Sequence, residues 1–540
     1  MLLVGAVRKT LLPYTGSVKT VAMFLVAVAL SAQTAEVSGE RIRAHVKFLA
    51  SDLLEGRGVG TRGGDLATEY LAAQFQLVGA KPAGDGGTYF QRVPMIGVET
   101  QSNATITAQA PGGAVDFHWL KDFVGINQAQ TTDDQFDADV VFVGHGINAP
   151  EFNWDDYKGT DVKGKVVVLF TNEPPSEDPK FFGGRALTYF GRWTYKYEEA
   201  TRRGARACLI VHTTPTAGYG WDVVQSSWSK EDPEVKVGAG EHALSFAGWL
   251  SRDAAEQLFA MSGHHVDEML NAANKADFRP IPLGVRIHAS IPTKVRQIES
   301  RNVAAMIPGS DPELKSQYVV FSAHWDHLGI GPPDSTGDRI NNGAVDNATG
   351  CAMLIEMARA WAELPRKPRR SALFLAVTAE EAGLRGSEYY ASHPLVPLKQ
   401  TALDLNFDAF YPFGRTKDIS VTGAEKTSVW PVVEQAAHRM ELTIEPDAHP
   451  EQGHYFRSDH FSFAHAGVAA FSISLGSHFY GKPDDFGEKI FAEYNEKHYH
   501  QPSDEFHENW DMAGMVEASQ FGLMIANDVA NQKNMPSIKF

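Results

Sequence analysis

The segment that decides the fold begins with YVVFSAHWDHLG at residues 318–329, where an apolar run ends at a histidine. The helical pattern GCAMLIEMARAWAEL (350–364) follows, and then come the apolar runs SALFLAVTAEE (371–381) and TALDLNFDAF (401–410). Strand-length runs that alternate with a helix predict an α/β fold with a mainly parallel, mixed sheet between layers of helices. Ligands of such sheets collect at the carboxyl ends of the strands.

One imidazole and several carboxylates follow these apolar runs. His324 and Asp408 come at the ends of two of them, and the adjacent Glu380 and Glu381 follow a third. Asp346, in NNGAVDNATG, precedes the helix. Neighbouring side chains on extended backbone point in different directions, so one glutamate can bind a metal while the other faces the substrate. Zinc accepts nitrogen and carboxylate oxygen, and its catalytic sites keep a position open for water.

Each of these residues also has an ordinary structural explanation. A histidine at a strand end is usually a satisfied structural residue, and an aspartate before Asn-Ala-Thr-Gly usually caps a helix or makes a turn. Adjacent glutamates usually lie on a solvated face, although the preceding FLAV indicates that Glu380 and Glu381 emerge from a buried strand. The joint occurrence of these groups in one order is what indicates a metal site.

Five motifs carry a family resemblance. They are HxD (324–326), GAxDNxTG (343–350), AEExGLxGS (379–387), NxD (406–408) and YHxPxDE (499–505). In this order they resemble the co-catalytic di-zinc exopeptidase superfamily, which includes bacterial secreted aminopeptidases, glutamate carboxypeptidase II and the inactive transferrin receptor. The resemblance covers residues 299–530 and implies the zinc-exopeptidase, phosphorylase/hydrolase-like fold.

The resemblance implies two zinc ions per chain. By position, Asp346 would bridge both ions. His324 and Asp408 would complete one site, and Glu381 and His500 would complete the other.

The resemblance also implies the catalytic roles. Glu380 would be the general base, and Asp326 would orient His324 from behind. In the stretch GHYFRSDHFSF (453–463), Tyr455 is a candidate donor to the tetrahedral oxyanion, and an ordinary packed aromatic is an equally good interpretation of this tyrosine.

A second texture runs from residue 135 to 292, where short β-branched runs such as DADVVFVG, GKVVVLF and ACLIVHT alternate with turns. This segment resembles the protease-associated domain inserted in several exported peptidases, which restricts or binds substrate. We therefore divide the chain into a signal peptide (1–35), an N-terminal part of the catalytic domain (36–134), the inserted domain (135–292) and the catalytic domain (293–540).

Composition limits the partners and the compartment. A net charge of -17 over 540 residues argues against nucleic acid and anionic membranes as partners. Basic residues before the apolar run 20–30, with small residues at 31–35, predict a cleaved signal peptide and export to the periplasm or medium. An uncleaved anchor or a buried helix is the competing interpretation of this run. With only Cys208 and Cys351, a disulfide framework is excluded and at most one bridge could form, and their apolar surroundings predict two buried free thiols.

These observations predict an exported zinc metallo-exopeptidase that acts on peptides, most simply an aminopeptidase. A glutamate carboxypeptidase-like enzyme is the first competing hypothesis, and it would need a cationic pocket, for which Arg385, Arg415 and Arg457 are available. A non-catalytic, receptor-like binding protein on the same scaffold is the second, and it predicts gaps among the ligands. The sequence leaves the oligomeric state open.

Overall fold

The computed structural model describes residues 36–217, 220–447 and 449–539. The predicted signal peptide (1–35) lies outside the described residues. Within the described ranges, no helix combines the length and the apolar character that a membrane span requires.

The described residues form 21 strands and 13 α-helices. The strands are β1 (Lys81–Pro82), β2 (Phe90–Thr100), β3 (Thr105–Ala110), β4 (Gly113–His118), β5 (Phe123–Ile126), β6 (Asp133–Phe142), β7 (Asn148–Ala149), β8 (Trp154–Asp155), β9 (Val166–Phe170), β10 (Ala207–Val211), β11 (Asp232–Val235), β12 (Phe246–Leu250), β13 (Ile281–Ile307), β14 (Tyr318–His324), β15 (Gly329–Ile330), β16 (Ile340–Asn341), β17 (Ser371–Val377), β18 (Thr401–Phe407), β19 (Asp418–Thr422), β20 (Thr443–Glu445) and β21 (Ala470–Leu475). The α-helices are α1 (Gly39–Leu49), α2 (Arg62–Leu77), α3 (Trp193–Arg202), α4 (Thr214–Ala217), α5 (Trp221–Trp228), α6 (Arg252–Ala260), α7 (Val266–Ala273), α8 (Thr349–Ala362), α9 (Arg385–Ser392), α10 (Trp430–Arg439), α11 (His460–His465), α12 (Phe486–Lys497) and α13 (Ala513–Asn531).

The sheet that carries the predicted ligands has a parallel centre. Strands β17, β14, β18 and β21 lie side by side and are parallel. Antiparallel neighbours flank them, with β13 and then β2 on one side and β19 on the other. The structure therefore confirms the predicted mixed sheet with a parallel centre.

Both faces of this sheet are covered by helices. In β14, Val319 and Phe321 belong to the core formed with α1, α2, α8 and α13, whereas Val320 packs with Tyr390 of α9 and Phe463 of α11. Side chains alternate between the faces of a strand, so a strand covered on both sides reads as one continuous apolar run. This is why YVVFSA contains almost no polar residue.

A second sheet forms most of the inserted, β-rich unit. Its strands β6, β9, β10 and β12 are mutually parallel, and β5 pairs with β12. The long strand β13 joins the two sheets, because its part up to Pro292 pairs with β6 and its part from Thr293 pairs with β2. The predicted boundary at 292/293 coincides with this change of partner. The predicted boundary at 134/135 divides the second sheet, since β3, β4 and β5 also belong to it.

Both cysteines are buried free thiols, as the sequence predicts. Cys351 lies in α8, and its thiol donates to the backbone oxygen of His324 over 3.1 Å. This contact fixes the end of β14 against the helix.

Candidate metal centre

Neighbouring strands bring three of the predicted ligands together. His324 is the last residue of β14, Asp408 directly follows β18, and Glu381 follows β17 after a short turn. Because these three strands are adjacent and parallel, their carboxyl ends meet at one edge of the sheet.

All five predicted metal-binding side chains converge at this edge. The Nε2 atom of His324 lies 3.2 Å from Oδ1 of Asp346 and 3.2 Å from Oδ1 of Asp408. The Nε2 atom of His500 lies 2.9 Å from Oε2 of Glu381 and 3.5 Å from Oδ2 of Asp346. Asp346 thus directs one carboxylate oxygen to each of two groups, which we call the His324 half and the His500 half.

These spacings fit zinc. Zinc binds imidazole nitrogen and carboxylate oxygen at about 2.0–2.2 Å, so two ligands of one tetrahedral ion lie about 3.3 Å apart. The four separations run from 2.9 to 3.5 Å. Each half offers three protein ligands when Asp346 is counted twice, and three ligands leave the fourth position of a tetrahedral ion open.

The charges of the site favour a cation. Burial lowers the pKa of His500, yet the carboxylates of Glu381 and Asp346 more than compensate and raise it to about 10. The pKa of His324 is likewise raised well above its usual value, since Asp408 and Glu380 outweigh the effect of burial. Carboxylates that hold a proton on each imidazole also attract a metal ion, and metal binding would release those protons.

Comparison with known families then identifies the segment. The family model of peptidase family M28 matches residues 302–523, which include all five groups. We call residues 302–523 the M28 segment, after the family model that matches them. This match confirms the resemblance to the co-catalytic zinc exopeptidase superfamily and supports a zinc-dependent peptidase.

Curated relatives of the M28 segment are similar over short stretches. Aminopeptidase NAALADL1 of Rattus norvegicus is 27% identical over 175 residues, which cover 28% of this chain and 21% of that protein. A probable zinc metalloprotease of Pyrenophora teres f. teres is 38% identical over 90 residues, covering 16% of this chain and 18% of that protein. The chain spans about a fifth of the length of these curated relatives.

A solved structure shares the fold over nearly the whole chain. The aminopeptidase from Aneurinibacillus sp. strain AM-1 superposes with a TM-score of 0.53 and 17% sequence identity. The match covers 93% of this chain and 96% of that chain. The likeness in fold therefore includes the inserted unit as well as the M28 segment.

Asp504 holds the loop that presents Asp346. Its carboxylate accepts hydrogen bonds from the backbone N–H groups of Val345 and Asp346, over 3.0 and 3.1 Å. The hydroxyl of Tyr494 donates to the same carboxylate over 3.0 Å. Asp504 is the aspartate of the YHxPxDE motif, so this motif supports the metal loop as well as providing His500.

Arg57 holds the loops from the N-terminal side. It is 1% exposed, and its guanidinium donates to four backbone carbonyls, those of Leu49, Trp325, Asn342 and Gly343. Two of these carbonyls flank the site, since Trp325 follows His324 and Gly343 lies in the Asp346 loop. The Gly-rich stretch GRGVGTRGG (56–64), which contains Arg57, therefore braces the metal loops.

Asp408 is supported by a chain of side chains. The hydroxyl of Ser458 donates to Oδ2 of Asp408 over 2.6 Å, and the amide of Asn406 donates to the Ser458 hydroxyl over 2.6 Å. Asp408 thus keeps Oδ1 for the His324 half. Ser458 lies in the same stretch as Tyr455, GHYFRSDHFSF (453–463), and its contact is to a predicted ligand.

Glu380 lies beside the ligands and lines a large cavity together with Glu381 and His500. Burial raises its pKa well above the usual value, and the neighbouring charges of Asp408 and Glu381 raise it further. Its backbone N–H donates to Oδ1 of Asp326 over 3.2 Å. The carboxylate of Asp326 is 3.8 Å from Nδ1 of His324, whereas its backbone oxygen is only 3.2 Å away. The closer contact to His324 is therefore made by the carbonyl and not by the side chain that the sequence suggested.

The tyrosine at the metal centre is Tyr499, and Tyr455 lies elsewhere. Tyr455 is 8% exposed, packs against Phe461 and lines a separate cavity of about 810 Å³ with Lys426. The placement of Tyr455 beside the reacting carbonyl is thus not supported. The ring of Tyr499 stacks on His500 with centroids 3.8 Å apart, and it lines the cavity that contains Glu380.

A cavity of about 1780 Å³ opens over the metal centre. The inserted unit supplies part of its wall through Tyr189, Trp193 and Trp228, and the M28 segment supplies Phe456 and Phe461. The site therefore faces an aromatic-walled space between the two sheets, large enough for a peptide end.

Proposed function

We propose that this protein is an exported aminopeptidase that removes amino-terminal residues from peptides at a site holding two zinc ions. The observation that carries the proposal is the geometry of Asp346, which offers one oxygen to His324 and the other to His500. Export rests on the sequence of residues 1–35 alone.

The side chains of the site divide the work. Zinc held there supplies Lewis-acid polarisation of a carbonyl and acidifies water. Glu380 lines the cavity beside the ligands, where a carboxylate can take a proton from the attacking water and give it to the leaving amine. Burial raises the pKa of Glu380, and a carboxyl that holds its proton more readily is suited to returning it to the leaving amine.

Two of the three cationic candidates for a terminal carboxylate are already paired. A carboxypeptidase needs a free cation for the terminal carboxylate, and three arginines were the candidates. Arg385 is paired with Glu234 over 2.6 Å, and Arg415 is paired with Glu517 over 2.6 Å. Arg457 is the third and lines the cavity. Glu198 and Glu388 also line the cavity, but each lies 3.7 Å from an arginine. The choice of an amino terminus therefore rests on the aminopeptidases to which the chain is similar.

Blocked and unblocked substrates test the direction of cleavage. We expect an aminoacyl-anilide to be hydrolysed, and its N-acetylated form and a peptide with a C-terminal glutamate to be hydrolysed far more slowly. Cleavage of the acetylated compound at a comparable rate, or preference for the C-terminal glutamate, would contradict an aminopeptidase.

The base role has its own test. We expect Glu380→Gln to lower kcat by about 10²–10⁴-fold, because the amide can neither accept nor return the proton, with an unchanged zinc content. The matched control is Glu363→Gln at the exposed end of α8, where the carboxylate pairs with Arg359. A loss below about tenfold in the zinc-loaded Glu380 variant would remove this residue from the role.

A further inference from the structure

His327 is a buried histidine at the metal centre that has no role in the family motif quoted above. It is 2% exposed and follows His324 in the sequence HWDH. Its backbone N–H donates to the carbonyl of Arg57 over 3.2 Å, so the residue is fixed on its main-chain side. A buried imidazole next to predicted metal ligands can act as a ligand itself or can orient one of the ligands.

Only one of the two ring nitrogens of His327 has a polar partner in the described residues. Nδ1 of His327 lies 2.5 Å from Oε1 of Glu381, whereas Nε2 has no hydrogen-bond partner in the part of the chain that the structure describes. The ring also packs against the Asp346 loop, since a Cβ added to Gly343 would lie 2.5 Å from Cγ of His327. The imidazole therefore cannot swing toward the loop and stays directed at Glu381.

The spacing distinguishes a ligand from an orienting group. Two ligands of one tetrahedral zinc ion lie about 3.3 Å apart, and 2.5 Å is too short for that arrangement. It is the separation of a short, charge-assisted hydrogen bond. The other oxygen of the carboxylate, Oε2, faces Nε2 of His500 over 2.9 Å, which does fit a shared ion.

We propose that His327 is a positioning residue, whose Nδ1–H donates to Oε1 of Glu381 and so leaves Oε2 directed at the zinc ion of the His500 half. This inference rests on the proposed two-zinc function. Hydrogen bonds to ligating carboxylates hold their orientation, and losing such a partner costs roughly 10–100-fold in metal affinity. The His324 half does not contain Glu381, so its ion is unaffected.

Asparagine and glutamine give a matched pair of variants. The side-chain amide nitrogen of His327→Asn takes the place of Nδ1 and can still donate to Glu381. The longer His327→Gln carries its amide to the place of Nε2 and cannot. We expect His327→Gln and the apolar His327→Leu to lower the affinity for one of the two zinc ions by roughly 10–100-fold. We expect His327→Asn to bind that ion with an affinity close to that of the wild type.

The measurement is zinc binding by the full chain rather than turnover. Metal-free protein is titrated with zinc in a metal buffer, and bound zinc is counted by elemental analysis, with circular dichroism to show that each variant is folded. Two zinc ions bound with unchanged affinity in folded His327→Leu would overturn the positioning role alone. Loss of the same ion in His327→Asn as in His327→Leu would overturn it too, because that result makes the imidazole itself a ligand.

Failure of the proposed function gives a different result. A wild-type protein that binds fewer than two zinc ions at saturation would overturn the two-zinc site, and the role of His327 with it. Saturation with cobalt adds a second readout, since the visible absorption reports the ligands of the ion. We expect the spectrum of cobalt-saturated His327→Leu to match that of the wild type, and an altered spectrum would count against a purely positioning role.

Discussion

The two halves of the metal centre contain similar ligand atoms but are built differently. In the His324 half, the imidazole ends a central strand and is 1% exposed. In the His500 half, the imidazole lies on a turn after α12, is 32% exposed and has a positive φ of 58°. The ligand separations are alike, at 3.2 Å in one half and 2.9–3.5 Å in the other. The halves therefore differ in how firmly the ligands are held.

This difference indicates that zinc binding in the His500 half depends more on loop residues than zinc binding in the His324 half. The His324 half is braced by Cys351 at the end of β14 and by Ser458 behind Asp408. In the His500 half, Glu381 is held by His327, and the ring of His500 stacks on Tyr499, which is 46% exposed. A ligand held by a partly exposed turn must be ordered when the ion binds, and that ordering reduces affinity.

The largest effect is expected where the halves meet, at Asp346. Asp346→Asn removes the shared charge and leaves an amide between two cation sites. We expect both zinc affinities to fall by more than the roughly 100-fold that a lost supporting partner costs, and hydrolysis to be lost with them. Zinc counting by elemental analysis checks this. Loss of a single ion in the variant would show that Asp346 serves one half only.

Stepwise removal of metal compares the halves directly. We expect a graded chelator to remove one zinc ion before the other, with affinities that differ by roughly tenfold or more, because the His500 half is less rigid. His500→Ala should abolish the early-leaving ion and leave the tighter one in place. Simultaneous loss of both ions would contradict a difference between the halves. If the early-leaving ion disappeared in His324→Ala and persisted in His500→Ala, the His324 half would be the weaker one.

The sequence predicted the parts of this site that follow from apolar runs and motif order. β14, β17 and β18 are buried on both faces, so their ends were visible as the points where apolar runs give way to His324, Glu380 and Asp408. The first boundary of the inserted unit was not visible in this way. Strands β3 and β4 carry alternating polar residues on an exposed face, and they lack the continuous apolar texture of β9 or β10.

Residues that act through tertiary contacts could not be predicted. Arg57 is far in sequence from the carbonyls of Asn342 and Gly343, and nothing in GRGVGTRGG indicates that its arginine is buried. Tyr455 and Tyr499 have the same side chain, and the fold shows that Tyr499 is the one beside the ligands. One signal was available for Tyr499, since it directly precedes His500 within the motif.

The smallest effect is expected behind the firmer half, at Ser458. Ser458→Ala removes the hydroxyl that donates to Oδ2 of Asp408, and the carboxylate can then rotate away from the His324 half. We expect the affinity for the tighter zinc ion to fall by about tenfold, the low end of the loss that a missing supporting partner causes, because β14 and Cys351 still hold His324. Ser458→Thr keeps the hydroxyl and is the matched control. The same zinc titration measures the effect. If Ser458→Ala instead lowered the zinc affinity of the His500 half, the hydrogen bond from Ser458 would not be what holds the ligands of the His324 half.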